Sequence, residues 1–145
     1  MSQYISVFDM LKIGVGPSSS HTLGPWRAAE QWIEHLKESN KFVLIDAIKV
    51  DLYGSLSLTG KGHATDLAIQ LGLSGTDPEY VEIESIDAII SDIKSNEQLF
   101  FNQEKKIPFH KTSIVFNKAF LPFHANGITF RGFSNHQEIS TETYY

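Results

Sequence analysis

Two short stretches of this chain gather side chains that can hold an anion and move a proton. GVGPSSSHTLGP, Gly14 to Pro25, sets Ser18, Ser19, Ser20, His21 and Thr22 in a row between Gly and Pro. TGKGHATD repeats the theme, with His63, Thr65 and Asp66 following a glycine-bearing turn. Gly and Pro on both flanks make the first stretch a shaped loop, not the interior of a helix or strand. Hydroxyls beside free backbone N–H groups suit a carboxylate or phosphate. An imidazole in the same place adds a donor or acceptor that titrates near neutral pH. The plainer alternative is that Ser, Thr and Asp at a helix start only cap it.

The elements that must position these residues follow from periodicity. After the first stretch, Trp26, Ala29, Ile33 and Leu36 recur at helical spacing, with Arg27, Glu30, Glu34, Lys37 and Glu38 mostly elsewhere, which predicts a helix over about 22–38. Its N-terminal N–H groups and the positive end of its dipole point into the Ser/His loop. FVLIDAIKVDLYG reads as a strand ending at Gly54, with Ile48, Val50 and Leu52 alternating with Lys49, Asp51 and Tyr53. A helix over about 64–73 then starts just after His63, with Leu67, Leu71, Ala64 and Ala68 on one face. Upstream, SVFDMLK predicts one or two helical turns, with Ser6 as N-cap and Val7, Phe8 and Leu11 on one side.

SIDAIISDIKS predicts a further helix capped by Ser85, burying Ile86, Ile89, Ile90 and Ile93. Beyond it the period changes to two. LFF, TSIVF, GITFRGF and EISTETYY are short strand candidates, and Asn126-Gly127 is a tight-turn signal. The fold class expected is α+β, an antiparallel sheet with packed helices.

Composition narrows the partners. A chain of 145 residues with 41% hydrophobic content fits one globular domain. Lys plus Arg number 12 against 17 Asp plus Glu, a net charge of −5, and apart from Lys105-Lys106 the cations are scattered. Nucleic acid rewards clustered cations, so it is not expected as a partner. No apolar run is long enough to span a membrane and no signal peptide is legible, so the expected location is cytoplasmic. There is no cysteine, which excludes disulfides, thiolate zinc sites and any iron–sulfur cluster ligated by cysteines of this chain.

Other chemistry is poorly matched. GVGPSSSHT lacks the Gly-Lys-Ser/Thr of a P-loop, GVGPSS lacks the third glycine of a dinucleotide turn, and GPSSSH is no nucleophile elbow. His63 with Asp66 has no third ligand at an obvious spacing, so no metal site is expected. His110, His124 and His136 fall near strand or turn segments and carry a weaker signal.

Taken together and in order, SVFDMLKIGVGPSSSHTLGPWRAA, VDLYGSLSLTGKGHATDLAIQLGL, KKIPFH and LPFHANGITFRGF closely resemble the beta domain of the bacterial iron–sulfur L-serine dehydratases, or L-serine ammonia-lyases. The resemblance covers essentially the whole chain. It implies conversion of L-serine to aminoacrylate by loss of water, then hydrolysis to pyruvate and ammonia. It also implies a 4Fe-4S cluster, without pyridoxal phosphate, whose cysteines lie in an alpha domain present in cis or as a separate subunit. The total absence of cysteine implies that this chain is the beta half, binds no cluster and is inactive alone. Its last residues, EISTETYY, stop within a strand candidate, so residues 1–145 are expected to be a beta domain truncated at its C-terminus.

The resemblance further implies a fold similar to the allosteric substrate-binding domain of some phosphoglycerate dehydrogenases, and a homodimer. His21 and His63 are the implied catalytic residues, with Ser18, Ser19, Ser20, Thr22 and Thr65 around the substrate carboxylate. The competing expectation is a non-catalytic module that senses a small anion or amino acid, or mediates dimerisation; a third is a structural cap.

Overall fold

Alternation along AIKVDLYG builds the central strand, β1 (Ala47–Gly54), with Ile48, Val50 and Leu52 in the core. The structure, a computed structural model, describes residues 23–54, 64–117 and 126–145. The helix expected over SVFDMLK lies outside the described residues. Leu23–Glu38 forms α1, Ala64–Leu73 α2 and Ile83–Asn96 α3. β2 (Gln98–Phe101) and β3 (Lys105–Pro108) make a separate two-stranded sheet. β4 (Ile114–Asn117), β5 (Asn126–Ser134) and β6 (Gln137–Tyr144) join β1 in a sheet of order β4-β1-β5-β6.

The α+β class holds, but the main sheet is mixed and not antiparallel. β4 runs parallel to β1, with Val50 opposite Ile114 and Tyr53 opposite Asn117. β5 and β6 are antiparallel additions on the other side of β1. Parallel neighbours need a long crossover; here α2, α3 and the β2–β3 hairpin supply it. Three local expectations also shift. Phe42–Leu44 is a 3-10 turn and not the start of β1. The N-cap of α3 is Glu82, which leaves Ser85 inside the helix. Asn126 and Gly127 open β5, paired with Gly54 and Tyr53, instead of forming a turn.

The real hairpin turns use other residues. Asn135 and His136, both at positive φ (50° and 68°), link β5 to β6, as a two-residue turn matching strand twist requires. Asn102 and Gln103, at 51° and 59°, turn the chain between β2 and β3.

The helix periodicity expected for α1 is met, since Trp26, Ala29, Ile33 and Leu36 are all buried. Trp32 joins them as the centre of the core. Its ring stacks on Phe130 at 5.2 Å, and its Nε1 donates to Ser140 Oγ at 3.2 Å, which satisfies the one polar atom of an enclosed indole. α2 is buried on two sides. Ile69 and Leu73 pack into the cluster under the sheet, while Ala68 and Leu71 join Trp26, Val81 and Ile86 in a second cluster. Each buried Leu, Ile or Val among them is worth about 1.5–3 kcal/mol. α2 stops at a glycine C-cap: Gly75 sits at φ 76°, its N–H donates to Gly72 O, and Thr76 N–H donates to Leu71 O.

Candidate functional site

Each of the two His-bearing stretches introduces a helix, and the two helices pack on each other. α1 begins two residues after His21, and α2 begins one residue after His63. Contact between them is close because α2 carries Gly72, where a Cβ would stand 2.8 Å from both Ala29 Cβ and Trp26 O. Trp26 Nε1 donates to Thr76 O at 3.0 Å, tying the start of α1 to the residues just past α2. The start of α1 thus meets the end of α2, at the opposite end of that helix from Ala64. His21, His63, Ser18, Ser19, Ser20 and Thr22 themselves lie outside the described residues.

Thr65 is described. It sits in the first turn of α2 and is 1% exposed. Beside it, Asp66 Oδ1 accepts a hydrogen bond from Gln70 Nε2 at 2.7 Å. The two helix starts differ electrostatically. α1 has no acidic residue in its first turn, whereas α2 has Asp66. A carboxylate at a helix N-terminus offsets the positive end of the dipole, so α1 is left the more attractive of the two for an anion. Further along α1, Arg27 pairs with Glu30 at 2.9 Å, and burial raises the Glu30 carboxyl pKa against the opposing pull of that guanidinium.

Sheet register brings a further set of chain ends together. β1 ends at Gly54, in the left-handed region at φ 69° that glycine tolerates. Gly54 is opposite Asn126, the first residue of β5, and Tyr53 is opposite Asn117, the last of β4. Gly54, Asn117 and Asn126 thus share one end of the sheet; His63 and His124 lie outside the described residues. The remaining histidines are elsewhere. His110 Nδ1 meets Glu97 Oε2 at 2.6 Å, and His136 is in the β5–β6 turn. The Lys105-Lys106 pair is no phosphate clamp, because Lys105 Nζ donates to Phe42 O at 2.6 Å and burial lowers its pKa.

Asp51 and Arg131 escaped sequence reasoning. Asp51 is 7% exposed on the β1 face away from the helices, and Arg131 Nε donates to its Oδ2 at 2.8 Å. Arg131 also donates to Glu138 Oε1 at 3.2 Å. Those bonds, Asp51 first, push the guanidinium pKa further above its usual range. The available signal was parity: Asp51 alternates with the core residues of its strand, and Arg131 does the same between Phe130 and Gly132.

An iron–sulfur cluster does not fit the donor set of this chain, which has no cysteine. Among the described residues, no group of three or more His, Asp or Glu side chains converges as metal ligands would. Among them also, no helix is long and apolar enough to cross a membrane.

Comparison with known proteins is consistent over the whole chain. The family model described as serine dehydratase beta chain matches residues 6–145. L-serine dehydratase 1 of Escherichia coli (strain K12) is 42% identical over 97% of this chain and 32% of its own length. An L-serine dehydratase of Haemophilus influenzae is 44% identical over the same shares, and one of Streptomyces coelicolor 40%. The chain spans about a third of the length of these curated relatives. Since the family match runs almost from end to end, this chain belongs to the serine dehydratase beta chain family.

Proposed function

We propose that this chain is the part of an L-serine dehydratase that lends His21 and His63 to an active site completed by an alpha domain, in cis or in trans. The observation that carries this reading is the match of residues 6–145 to the serine dehydratase beta chain family. Holding reacting groups in fixed geometry is worth several kcal/mol of barrier. The dehydration is a β-elimination: the Cα–H and Cβ–O bonds of L-serine break, a C=C bond forms, and water leaves. The aminoacrylate takes up water to give pyruvate and ammonia.

In this reading His63 takes the α-proton, with His21 as its partner or as a substrate ligand. Ser18, Ser19, Ser20 and Thr22, with the N–H groups at the start of α1, surround the substrate carboxylate, where charge-assisted hydrogen bonds are strong. Thr65 contributes from its enclosed place in α2. Help for the departing hydroxyl comes from the alpha domain, which also holds the 4Fe-4S cluster that this chain cannot ligate. The isolated chain is therefore inactive. The proposal extends to a homodimer, a cytoplasmic location and a fold akin to the allosteric substrate-binding domain of phosphoglycerate dehydrogenases.

A second reading, a non-catalytic module for a small anion or amino acid, is favoured by one observation: the first turn of α1 carries no acidic residue to offset its dipole. Reconstitution separates the two. The chain is mixed with a cysteine-bearing alpha domain carrying its cluster, assembled anaerobically, and pyruvate release from L-serine is followed. Turnover in the mixture and in neither half supports the split site. No turnover, with tight L-serine binding by this chain alone, replaces it with the binding module.

A further inference from the structure

The main sheet meets the core with one of its two faces. Ile48, Val50, Leu52, Ile128 and Phe130 point into the cluster formed with Trp32, Ile69 and Leu99. The residues that alternate with them, Lys49, Asp51 and Tyr53 on β1 and Thr129, Arg131 and Phe133 on β5, point the other way, and neither core cluster contains any of them.

A sheet face left to water satisfies its polar groups with water. This one satisfies them sideways, strand to strand. Asp51 Oδ2 accepts from Arg131 at 2.8 Å, and its Oδ1 from Asn117 on β4 at 3.4 Å. Glu138 on β6 accepts from Arg131 at 3.2 Å and from Thr141 at 2.6 Å. Thr129 and Thr143 bond to each other at 2.9 Å. A second layer can cover such a face without stranding a buried donor or acceptor, the usual cost of covering a polar surface. Tyr53 and Phe133, both half-buried, give that layer apolar area to cover.

Charge indicates what the layer is. The chain as a whole carries −5, so two copies repel over much of their surface. On this face the charges balance, Lys49 and Arg131 against Asp51 and Glu138. Arg131 is engaged by both carboxylates, whereas Lys49, exposed and directly opposite Arg131 in the ladder, has no ion pair among the described residues. Like charges across a ladder disfavour each other, and a carboxylate brought from outside relieves them. Glu138 can supply one to another copy: its side chain is 41% exposed, and β6 lies on the other side of β5 from Lys49.

We propose that this face binds a second copy of the chain, sheet on sheet at the usual separation of about 10 Å, around a two-fold axis along β5. That axis sets β1 of one copy over β6 of the other, brings Lys49 within reach of Glu138 twice over, and places Phe133 over its own counterpart. The inference rests on the homodimer of the proposed function and names its surface; it takes nothing from the catalytic reading.

Sedimentation equilibrium of the whole chain over a wide range of concentration measures the association, with circular dichroism as the check on folding. The parent dimerises. Lys49→Glu and Glu138→Lys each weaken the dimer by about tenfold or more, since each sets like charges together twice. Mixed in equal amounts, the two variants recover it, because every such contact in the mixed dimer again joins opposite charges; a folding defect gives no such recovery. If Glu138→Lys does not fold, Phe133→Cys serves, because the chain has no cysteine of its own and a short bismaleimide then joins copies only through residue 133. Cross-linking there, and not through Glu34→Cys on the exposed side of α1, upholds the interface. A chain that stays monomeric throughout overturns the interface and the homodimer together. A dimer that neither charge variant weakens, or that cross-links no better through residue 133 than through residue 34, overturns the interface alone. Pyruvate release in the reconstituted mixture decides the catalytic reading separately.

Discussion

Gly72 of α2 lies against Ala29 of α1 with no room between them for a methyl group. A Cβ on Gly72 would stand 2.8 Å from Ala29 Cβ and 2.8 Å from the backbone oxygen of Trp26. Neither obstacle is the end of a flexible side chain, so the helices must separate to admit it. Gly72→Ala is expected to destabilise the chain by about 1–3 kcal/mol, despite the better helix propensity of alanine. Urea denaturation measures it; an unchanged midpoint would contradict the close approach.

Trp32 and Ser140 give a second, more graded prediction. Ser140→Ala leaves the indole N–H buried without its acceptor, at a cost of about 1–3 kcal/mol. Trp32→Phe removes the donor and part of the stack on Phe130. The double variant should cost less than the sum of the two, and a thermodynamic cycle on denaturation midpoints reads the difference.

At the β5–β6 turn, His136 occupies φ 68°. Its replacement by glycine creates the Asn-Gly pair that such turns favour, and should stabilise the chain by about 0.5–1 kcal/mol. His136→Val should destabilise it, since a β-branched residue resists that region. Equal midpoints for the two variants would argue against the turn geometry.

The stability profile should fall at both ends of the pH range. Burial, and then Glu142, push Tyr144 up to about 12. Its neutral form is thus favoured on folding. That contribution is complete below the unfolded value of about 10, and is lost as pH rises from there through 12. Tyr144→Phe should flatten the alkaline fall. On the acid side, Glu104 is held low by Lys37 and Asn102, and Glu138 by Thr141 and Arg131. Their contributions are present above about pH 4.3, the unfolded value, and vanish as pH drops through the lower folded values. Denaturation midpoints of Glu104→Gln and Glu138→Gln should therefore vary less with acidification than those of the parent.

For catalysis, His21→Ala and His63→Ala in the reconstituted dehydratase should each lower kcat by about 10²–10⁴, the usual worth of a general acid or base. Pyruvate release decides it, and near-normal turnover in both removes the two histidines from the mechanism.

Much of this architecture was legible because burial repeats with secondary structure. Trp26, Ala29, Ile33 and Leu36 announce α1, and Ile48, Val50 and Leu52 announce β1. Partner choice was not legible, because alternation marks which face of a strand is buried and says nothing about which strand lies beside it. Hence the parallel β4 and the pairing of Asn126-Gly127 with β1 went unseen. Local turn chemistry misled for a related reason: positive φ was met by Asn135-His136, while the stronger Asn-Gly signal was spent in a ladder. Of the candidate site, residue types and the two helices were visible in sequence, but not the packing of one on the other. The Asp51–Arg131 bridge was not, since its partners stand 80 residues apart.

That separation also governs how the fold is made. β1 is synthesised early, yet both of its neighbours come from the last third of the chain, and the Trp32–Ser140 contact closes over 108 residues. Its long-range pairing implies high contact order and slow folding. While translation proceeds, the central strand must wait with two unsatisfied edges, its core residues Ile48, Val50 and Leu52 backed by α1 alone. During that interval on the ribosome the nascent chain is most exposed to aggregation and most dependent on chaperones.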